Sequence, residues 1–298
     1  MIIPDHNKGL AAGLFCFIFW GVAPVYFKLI DSVPSIVIIA HRIIWASLFL
    51  VLFLMIREKK KFFQSLRVSP KQLMILLISG LLVTSNWLMF VWAVTHDQIL
   101  ATSLGYFINP LVNILLGVLF LHERLTKTQL VAVAIAASST LFLGIYIGQP
   151  PWISLFLATT FGLYGLVKKQ INVRPMIGLF WETTLLILPA SIYLLVYSPE
   201  YTSQYNPQIL GLFLFFSGLV TVLPLIGFNY AAKRLSLTII GFLQYIAPTM
   251  SFLIAVIFYG EVFSLGYKVA FTGIWLALII ISGKSLRDSR KRKKVTCL

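Results

Sequence analysis

The sequence is poor in charged residues, and acidic residues are the scarcest of them. Only 11% of the 298 residues are charged and nine are Asp or Glu, whereas a soluble domain carries roughly 25% charged residues. Hydrophobic residues make up 59% of the chain, and the mean hydropathy is +0.92. A chain so short of charge cannot form a soluble surface of ordinary composition, so the composition indicates an integral membrane protein.

Cysteine and the common catalytic motifs are also scarce or missing. The two cysteines, Cys16 and Cys297, indicate neither a disulfide framework nor a metal site. There is no G-x-x-x-x-G-K-[ST] phosphate loop, no H-E-x-x-H and no G-x-S-x-G. The four aspartates lie in tails, in loops or at a span end, which excludes the buried aspartate pair of an intramembrane protease. The sequence therefore predicts neither an enzyme nor a bound metal or cofactor.

Long apolar runs are what the sequence has in abundance. Windows of about 20 residues match the length that an α-helix needs to cross a hydrocarbon core of roughly 30 Å. The strict alternation of polar and apolar residues that barrel strands require is missing, so the predicted fold is an all-α membrane protein. The first window is interpreted as a span and not as a signal peptide. The ten windows are 9–30, 34–56, 71–94, 99–121, 128–147, 152–169, 176–197, 208–231, 238–259 and 266–283.

The basic residues give a net charge of +15, and their placement predicts the orientation of the chain. If the spans alternate in direction, nearly all Lys and Arg between them fall on one side, which the positive-inside rule identifies as the cytoplasm. Both termini are then cytoplasmic, and the basic tail 284–298 is a topology signal that can also contact anionic lipid. Lys28 and Lys268, near span ends, are the exceptions. This separation by side argues against nucleic acid as the partner.

The second half of the chain repeats the first. With an offset of 138, the segment 101–123 aligns over 239–261 without a gap. Five spans per half is an odd number, so the halves enter the membrane from opposite sides. The loop T95-H-D-Q98 accordingly lacks Lys and Arg, whereas its counterpart contains Lys233 and Arg234. Such inverted repeats are typical of secondary transporters, and they are predicted here over residues 1–147 and 148–283.

Two aligned prolines, Pro110 and Pro248, lie near the centres of their windows. Each removes one helical hydrogen bond and frees the carbonyl four residues earlier, which is tolerated in a membrane only beside protein or a water-filled cavity. The two windows are therefore predicted to line a central substrate cavity, although the prolines would also serve simply to bend helices for packing. The side chains offered to the cavity are Tyr106, Asn109, Asn113, Gln244 and Tyr245.

Arg42 and Glu182 are ionisable residues deep inside apolar windows, at positions that correspond with an offset of 140. A charge near the bilayer centre costs at least about 2.5–3.5 kcal/mol, which leaves two interpretations. The residues pair and determine how the halves pack, or they face the cavity separately. In the second case Arg42 binds a carboxylate or phosphate through its planar fork, and Glu182 binds an amine or exchanges a proton. His41, beside Arg42, has either a proton-exchange or a packing role.

Several further residues are candidates for the cavity wall or its ends. Trp20, Trp45 and Tyr164 lie too deep to be interfacial anchors and are predicted to line the cavity. Lys168, at the cytoplasmic end of its window, is a gate residue or an interfacial anchor. The acidic residues that close the two proline-containing windows are interpreted as end caps or packing contacts; they are Glu123 and Glu261.

Segments from both halves are similar to one family of bacterial membrane proteins. They are W20-G-V-A-P-V-Y-F-K28, H41-R-I-I-W45, N86-W-L-M-F-V-W-A-V94, S103-L-G-Y-F-I-N-P-L-V112, Y164-G-L-V-K168, Glu182 and the run F-L-Q-Y-I-A-P from Phe242 to Pro248. Through them the chain resembles the RarD (chloramphenicol-sensitive protein) family, in the EamA branch of the drug/metabolite transporter superfamily. The resemblance implies a ten-helix inner-membrane permease of two inverted repeats, which exports amino acids, other small metabolites or drugs without ATP. It implies no particular substrate.

Together these observations predict a secondary active transporter that moves a small polar metabolite by alternating access, as a monomer or a homodimer. An amino acid or a derivative is the leading class, because one cation and one anion in the cavity suit a zwitterion. Proton coupling through Glu182 is a hypothesis. The other readings are a drug exporter, a flippase that binds the phosphate of a lipid-linked intermediate at Arg42, and a non-transporting membrane receptor or assembly partner.

Overall fold

The computed structural model describes residues 4–122, 125–196, 206–232, 234–235, 239–240 and 243–296, which form helices joined by short connections. A 3-10 turn at Lys59–Lys61 and a π-helix at Ile254–Phe258 supplement the α-helices. In chain order the α-helices are α1 (Pro4–Lys28), α2 (Ser35–Glu58), α3 (Phe62–Ser65), α4 (Pro70–Thr95), α5 (Ile99–Leu121), α6 (Lys127–Ile147), α7 (Trp152–Gln170), α8 (Pro175–Thr184), α9 (Ile187–Val196), α10 (Pro207–Ala232), α11 (Ile246–Leu253) and α12 (Leu265–Thr296).

Eight helical segments of the described residues are long and apolar enough to cross a membrane, as expected of an all-helical, multi-pass membrane protein. They are Asn7–Lys28, Ser35–Ser65, Pro70–Thr95, Ile99–Phe120, Lys127–Ile147, Pro175–Val196, Pro207–Ala232 and Leu265–Gly283. Two predicted windows are not among the eight. The window 152–169 corresponds to α7, and the described part of 238–259 includes the shorter apolar helix Ile246–Phe258.

Two of the predicted windows are interrupted helices, and a proline accounts for each interruption. Pro189 lies in the first turn of α9 and offers no N–H to the carbonyl of Leu185, where the helix breaks. Pro248 likewise lies in the first turn of α11, and the chain turns at Gln244. The sequence indicated a freed carbonyl at Gln244 but did not indicate that the helix is interrupted there. Pro110, by contrast, lies inside the uninterrupted α5.

The helices pack through small residues where they approach most closely. Lipid tails are as apolar as the side chains, so helices in a membrane associate through close van der Waals packing and interhelical hydrogen bonds, and not through water exclusion. Gly80 of α4 is an example, because a Cβ there would lie 2.8 Å from the carbonyl oxygen of Glu182 on α8. The largest buried cluster joins residues from both halves of the chain, among them Phe27, Leu104 and Phe271, which are almost fully buried.

Candidate functional site

Arg42, on α2, is buried among aromatic rings and a hydroxyl group. The residue is 6% exposed, and its Nε donates to Oγ1 of Thr221 on α10 at 2.5 Å. The guanidinium carbon lies 4.4 Å from the ring centroid of Trp87 and 5.5 Å from that of Phe27. Cation–π contacts of a desolvated guanidinium contribute about 2 kcal/mol, so this arginine cluster offsets part of the energy needed to bury the charge.

The terminal nitrogens of Arg42 keep their N–H donors. Across the described residues, Nη1 and Nη2 have no hydrogen bond to protein, and the residue as a whole is 6% exposed. A guanidinium has five N–H donors, and Thr221 accepts from one of them. Four N–H groups remain in the planar arrangement that matches a carboxylate or phosphate.

Glu182, on α8, lies at the centre of a second polar group, the carboxylate cluster of Glu182, Lys168, Tyr164 and Ser79. Its side chain is 0% exposed, and Nζ of Lys168 on α7 lies 2.8 Å from Oε1. Ser79 of α4 donates to the same oxygen at 2.5 Å, and the Tyr164 hydroxyl donates to Oε2 at 3.2 Å. An ion pair with further hydrogen bonds is the arrangement in which a buried carboxylate is tolerated.

Two glycines make room for the carboxylate cluster. Gly80, next to Ser79, lets the backbone of α4 approach that of α8 at Glu182. Gly178 lies one turn before Glu182 on α8, and a Cβ there would lie 2.4 Å from Nζ of Lys168. Residues four apart share one face of a helix. Gly178 therefore provides the space in which the ammonium group contacts the carboxylate.

Arg42 and Glu182 do not form an ion pair within the described part of the chain. Glu182 pairs with Lys168, and Arg42 bonds to Thr221. The first of the two interpretations from the sequence was a pair formed directly or through water, and the direct pair is not what this structure contains. Lys168, which the sequence predicts to be a gate residue or an interfacial anchor, forms an ion pair with the buried carboxylate.

Asn86 links three helices and was missed as a site residue. The residue is 1% exposed. Its Nδ2 donates to the carbonyl of Leu157 and to Thr160 Oγ1, both on α7 at 2.9 Å, and its Oδ1 accepts from the Tyr106 hydroxyl of α5 at 3.2 Å. An amide inside an apolar run is itself a signal, since buried polar groups in membranes are costly unless they are hydrogen-bonded.

Two of the other polar residues predicted for the cavity, Asn109 and Asn113, are hydrogen-bonded to each other. Asn113 donates to Oδ1 of Asn109 at 2.8 Å, while Nδ2 of the buried Asn109 has no partner in the described residues. Asn113 and Gln244 are exposed. The ring of Tyr245 stacks on Phe107, with centroids 6.2 Å apart.

The aromatic candidates and His41 differ in their surroundings. Trp20 makes ring contacts with Phe17 and Phe228, and Trp45 contacts Phe215 at 4.7 Å. Within the part that the structure describes, His41 is half-buried and forms no hydrogen bond or ion pair. Of the three predicted wall residues, Tyr164 is the one that bonds to a charged group of the described chain.

Residues at the ends of the proline-containing segments join the two halves. Ser103 of α5 donates to the carbonyl of Pro248 at 2.7 Å. The carboxylate of Glu261 accepts from the backbone N–H groups of Ile99 and Leu100, at 2.7 and 2.8 Å, and so caps α5. Burial raises the pKa of Glu261, against the lowering effect of those two hydrogen bonds. Glu123 lies outside the described residues.

A groove of about 590 Å³ lies between α5, α6 and α7. Its lining includes none of the predicted site residues and no charged side chain. The groove is therefore separate from the residues around Arg42 and Glu182.

Comparison with known proteins identifies the family. Residues 7–145 match the EamA-like transporter family. Protein RarD of Escherichia coli (strain K12) is 42% identical over 290 residues, covering 97% of this chain and 98% of that protein. A Vibrio cholerae protein described as an uncharacterized transporter is 40% identical over 292 residues, covering 97% of each chain.

A solved crystal structure has a related fold. It shares 15% sequence identity with this chain, covers 92% of it and 97% of its own chain, and superposes with a TM-score of 0.60. At this level of identity the likeness shows the fold alone. The sequence relatives go further, because they are 40–42% identical along nearly their full length. The chain therefore belongs to the RarD family of EamA-like transporters, and it is a multi-pass membrane transporter.

Proposed function

We propose that this transporter moves a small zwitterionic metabolite, an amino acid or a derivative, across the bacterial cytoplasmic membrane by secondary active transport. The observation that carries the proposal is the presence of two buried clusters of opposite chemistry. Arg42 offers four N–H donors to an anion. Glu182 offers a carboxylate that is already bound to an ammonium group, that of Lys168. A zwitterion has the two complementary charges.

Alternating access between two inverted five-helix repeats, 1–147 and 148–283, is the mechanism that we propose. Helix crossings support it, because they occur in corresponding pairs. Gly80 of α4 lies against Glu182 of α8, and Gly218 of α10 lies against Trp45 and Ala46 of α2, where a Cβ would be 2.6 Å from the Ala46 nitrogen. Gly218 is 138 residues after Gly80, the offset found in the sequence. Each half thus contributes the glycine to one crossing and the partner helix to the other.

A second pair of crossings also exchanges partners between the halves, although its two glycines, Gly21 and Gly162, are 141 residues apart. A Cβ on Gly21 of α1 would lie 2.8 Å from Cβ of Met250 on α11, and one on Gly162 of α7 would lie 3.0 Å from Cγ1 of Val112 on α5. Met250 is 138 residues after Val112. Two independent contacts that exchange partners between the halves support a two-fold relation between them. On this proposal α7 and the segment 238–259 are the sixth and ninth of ten spans.

The packing suggests a different register for α2 and α8 from the one inferred from the sequence. Ser47 and Thr184 are hydrogen-bonded at 2.8 Å, and they are 137 residues apart. With an offset of 137, Glu182 corresponds to Trp45 and not to Arg42. Arg42 lies three residues, about one helical turn, before Trp45 on α2. The offset of 140 was chosen because it aligns the two charged residues. The contact between α2 and α8 depends instead on which small residues allow the two helices to approach closely.

The proposed topology, with both termini cytoplasmic, separates the two charges across the membrane. Helices α2 and α8 then run in opposite directions, and their contact at Ser47 and Thr184 lies between the charges. Arg42 precedes that contact on an inward-running helix, and Glu182 precedes it on an outward-running one. The anion site is therefore nearer the outside and the ammonium site nearer the cytoplasm, as a cargo passing between two gates requires.

The experiment that tests this function is exchange across liposomes loaded with an unlabelled amino acid. Purified protein is offered three labelled compounds of one carbon skeleton: the zwitterion, the amine without its carboxylate and the acid without its amine. Accelerated exchange of the zwitterion, with clearly slower exchange of both truncated compounds, is expected. Equal exchange of the truncated acid or amine, or no zwitterion exchange across the amino acids tested, would exclude the proposed cargo class.

A further inference from the structure

We propose that Lys168 is a tethered occupant of a primary-ammonium site, which the ammonium group of the cargo takes over during transport. The inference deepens the proposed function and rests on it. The site consists of the Glu182 carboxylate, the face of Tyr164 and the backbone at Gly178. Lys168 fills it when no cargo is bound.

The geometry of the site fits an unsubstituted ammonium group. Nζ of Lys168 is 2.8 Å from Oε1 of Glu182 and 5.6 Å from the ring centroid of Tyr164. On a third side, the space that a Cβ of residue 178 would fill is only 2.4 Å from Nζ. An –NH₃⁺ group can therefore donate to the carboxylate and pack against Gly178. N-methyl groups on the same nitrogen would collide with the backbone at Gly178.

Lys168 has a route out of the site that Glu182 lacks. The lysine lies in the last turn of α7 with its side chain 20% exposed, and the carboxylate is 0% exposed on α8. Long basic side chains at helix ends reach the membrane surface while their stems remain among apolar groups. Lys168 can therefore move toward the cytoplasmic surface by rotating its side chain, while the carboxylate stays within the membrane.

A buried Glu182 carboxylate is unstable without a neighbouring cation. Departure of Lys168 and entry of the cargo ammonium are therefore coupled, and so are the reverse steps. A buried charge whose partner is removed is strongly destabilising. Lys168, a cargo ammonium or a bound proton therefore neutralises the carboxylate at each stage of the cycle. On its return Lys168 expels the cargo ammonium and pairs with the carboxylate, so that Glu182 carries no unpaired charge while the empty carrier changes its conformation.

Chemical rescue tests the inference without any transport measurement. In Lys168→Ala, propylammonium chloride replaces the missing part of the side chain. At about ten times its dissociation constant it should raise the unfolding midpoint by about 3 °C. Tetramethylammonium chloride at the same concentration should not, and neither salt should act on the double variant Lys168→Ala/Glu182→Gln. The matched control is Lys169→Ala, for which propylammonium and tetramethylammonium should have the same effect.

A second measurement covers the case in which Lys168→Ala does not fold. Gly178→Ala keeps both charges but fills the ammonium site, so Lys168 should react with a water-soluble acylating reagent several-fold faster than in the wild type, while Lys169 is unchanged. The inference is overturned if folded Lys168→Ala shows no rescue that is selective for the primary amine. It is also overturned if the acylation rate at Lys168 is unchanged in Gly178→Ala.

Failure of this inference is distinguishable from failure of the proposed function. Zwitterion exchange in liposomes without selective rescue would leave the cargo class standing and remove the ammonium site at Glu182. Selective rescue without zwitterion exchange would leave the ammonium site standing and replace the zwitterion by a simple amine as the cargo.

Discussion

Replacing Lys168 with Met leaves the carboxylate of Glu182 buried without its ion-pair partner. Met retains most of the volume and the apolar stem of Lys, so the change removes charge and little packing. In Lys168→Met the carboxylate, whose side chain is 0% exposed, retains only the hydrogen bonds from Ser79 and Tyr164. Adding Glu182→Gln removes the second charge, and the amide oxygen can still accept from the same hydroxyl groups.

The magnitude follows from the burial and the remaining contacts. Breaking a buried ion pair by removing one partner costs about 3–5 kcal/mol. Two hydroxyl donors stay on the carboxylate, and the lysine is partly exposed, so the low end, about 3 kcal/mol, applies to Lys168→Met. In a chain of this size that corresponds to a fall of about 6 °C in the unfolding midpoint. The double variant should recover most of this loss, since replacing both members of a buried pair is often close to neutral.

The buried thiol of Cys16 provides the assay. Cys16 is 0% exposed, so a thiol-reactive fluorophore reports its exposure as purified protein unfolds in detergent. The measurement is made with Cys297 replaced by Ser, and Lys169→Met is the control for loss of a neighbouring lysine. A fall of less than 2 °C in Lys168→Met, or a double variant no more stable than the single one, would refute the account of Glu182 as a buried carboxylate that depends on Lys168.

Three further outcomes are expected from single substitutions. Arg42→Lys keeps the charge but loses the planar fork, so the half-saturating concentration for a zwitterion should rise about tenfold; unchanged affinity would make Arg42 a packing residue. Gly80→Ala should lower the unfolding midpoint by several degrees, because the new Cβ would lie 2.8 Å from the Glu182 carbonyl oxygen, whereas Gly165→Ala, with no atom nearby, should not. Residual transport by Glu182→Gln should lose its dependence on pH in liposomes with an imposed proton gradient; a retained dependence would assign proton coupling to another group.

The helices that agree best with the sequence are those whose limits depend on local features. The window 99–121 coincides with α5 (Ile99–Leu121), and 128–147 differs by one residue from α6 (Lys127–Ile147). Thr126 accounts for the start of α6, because it forms a capping box with Gln129. When a long apolar run is bounded by such capping residues, the first and last residues of the helix depend on a few neighbouring residues of the chain. These limits can therefore be predicted without tertiary information.

Interrupted helices were harder to find because hydropathy does not register a missing hydrogen bond. The run 176–197 is apolar enough to be read as one span despite Glu182, yet the chain breaks between α8 and α9, four residues before Pro189. The rule that a proline frees the carbonyl four residues earlier was applied to Pro248, where it predicted a carbonyl beside a cavity or a simple bend, and not the start of a new helix. Whether the helix bends or ends depends on the neighbouring helices, because they determine whether the freed carbonyl finds a hydrogen-bond donor.

The partner of the buried carboxylate was beyond the reach of sequence reasoning. Glu182 was matched with Arg42 because both are charged and their numbers fit an internal repeat. The true partner, Lys168, is on the preceding helix and had been placed at a membrane surface. Which of the two cations meets the carboxylate depends on how closely α4, α7 and α8 approach one another, and Gly80 and Gly178 determine that approach.

By itself, the sequence determined that this protein is helical and crosses a membrane several times, because composition and run length are local quantities that lipid and backbone hydrogen bonding translate directly into spans. Its internal repeat and its resemblance to the RarD family, and not its composition, indicated a transporter. Only the tertiary structure decided which buried charges have protein partners and which retain free donors. The physical reason is that electrostatic pairing depends on distances of a few ångströms between helices, and these distances are determined by small residues at the crossings.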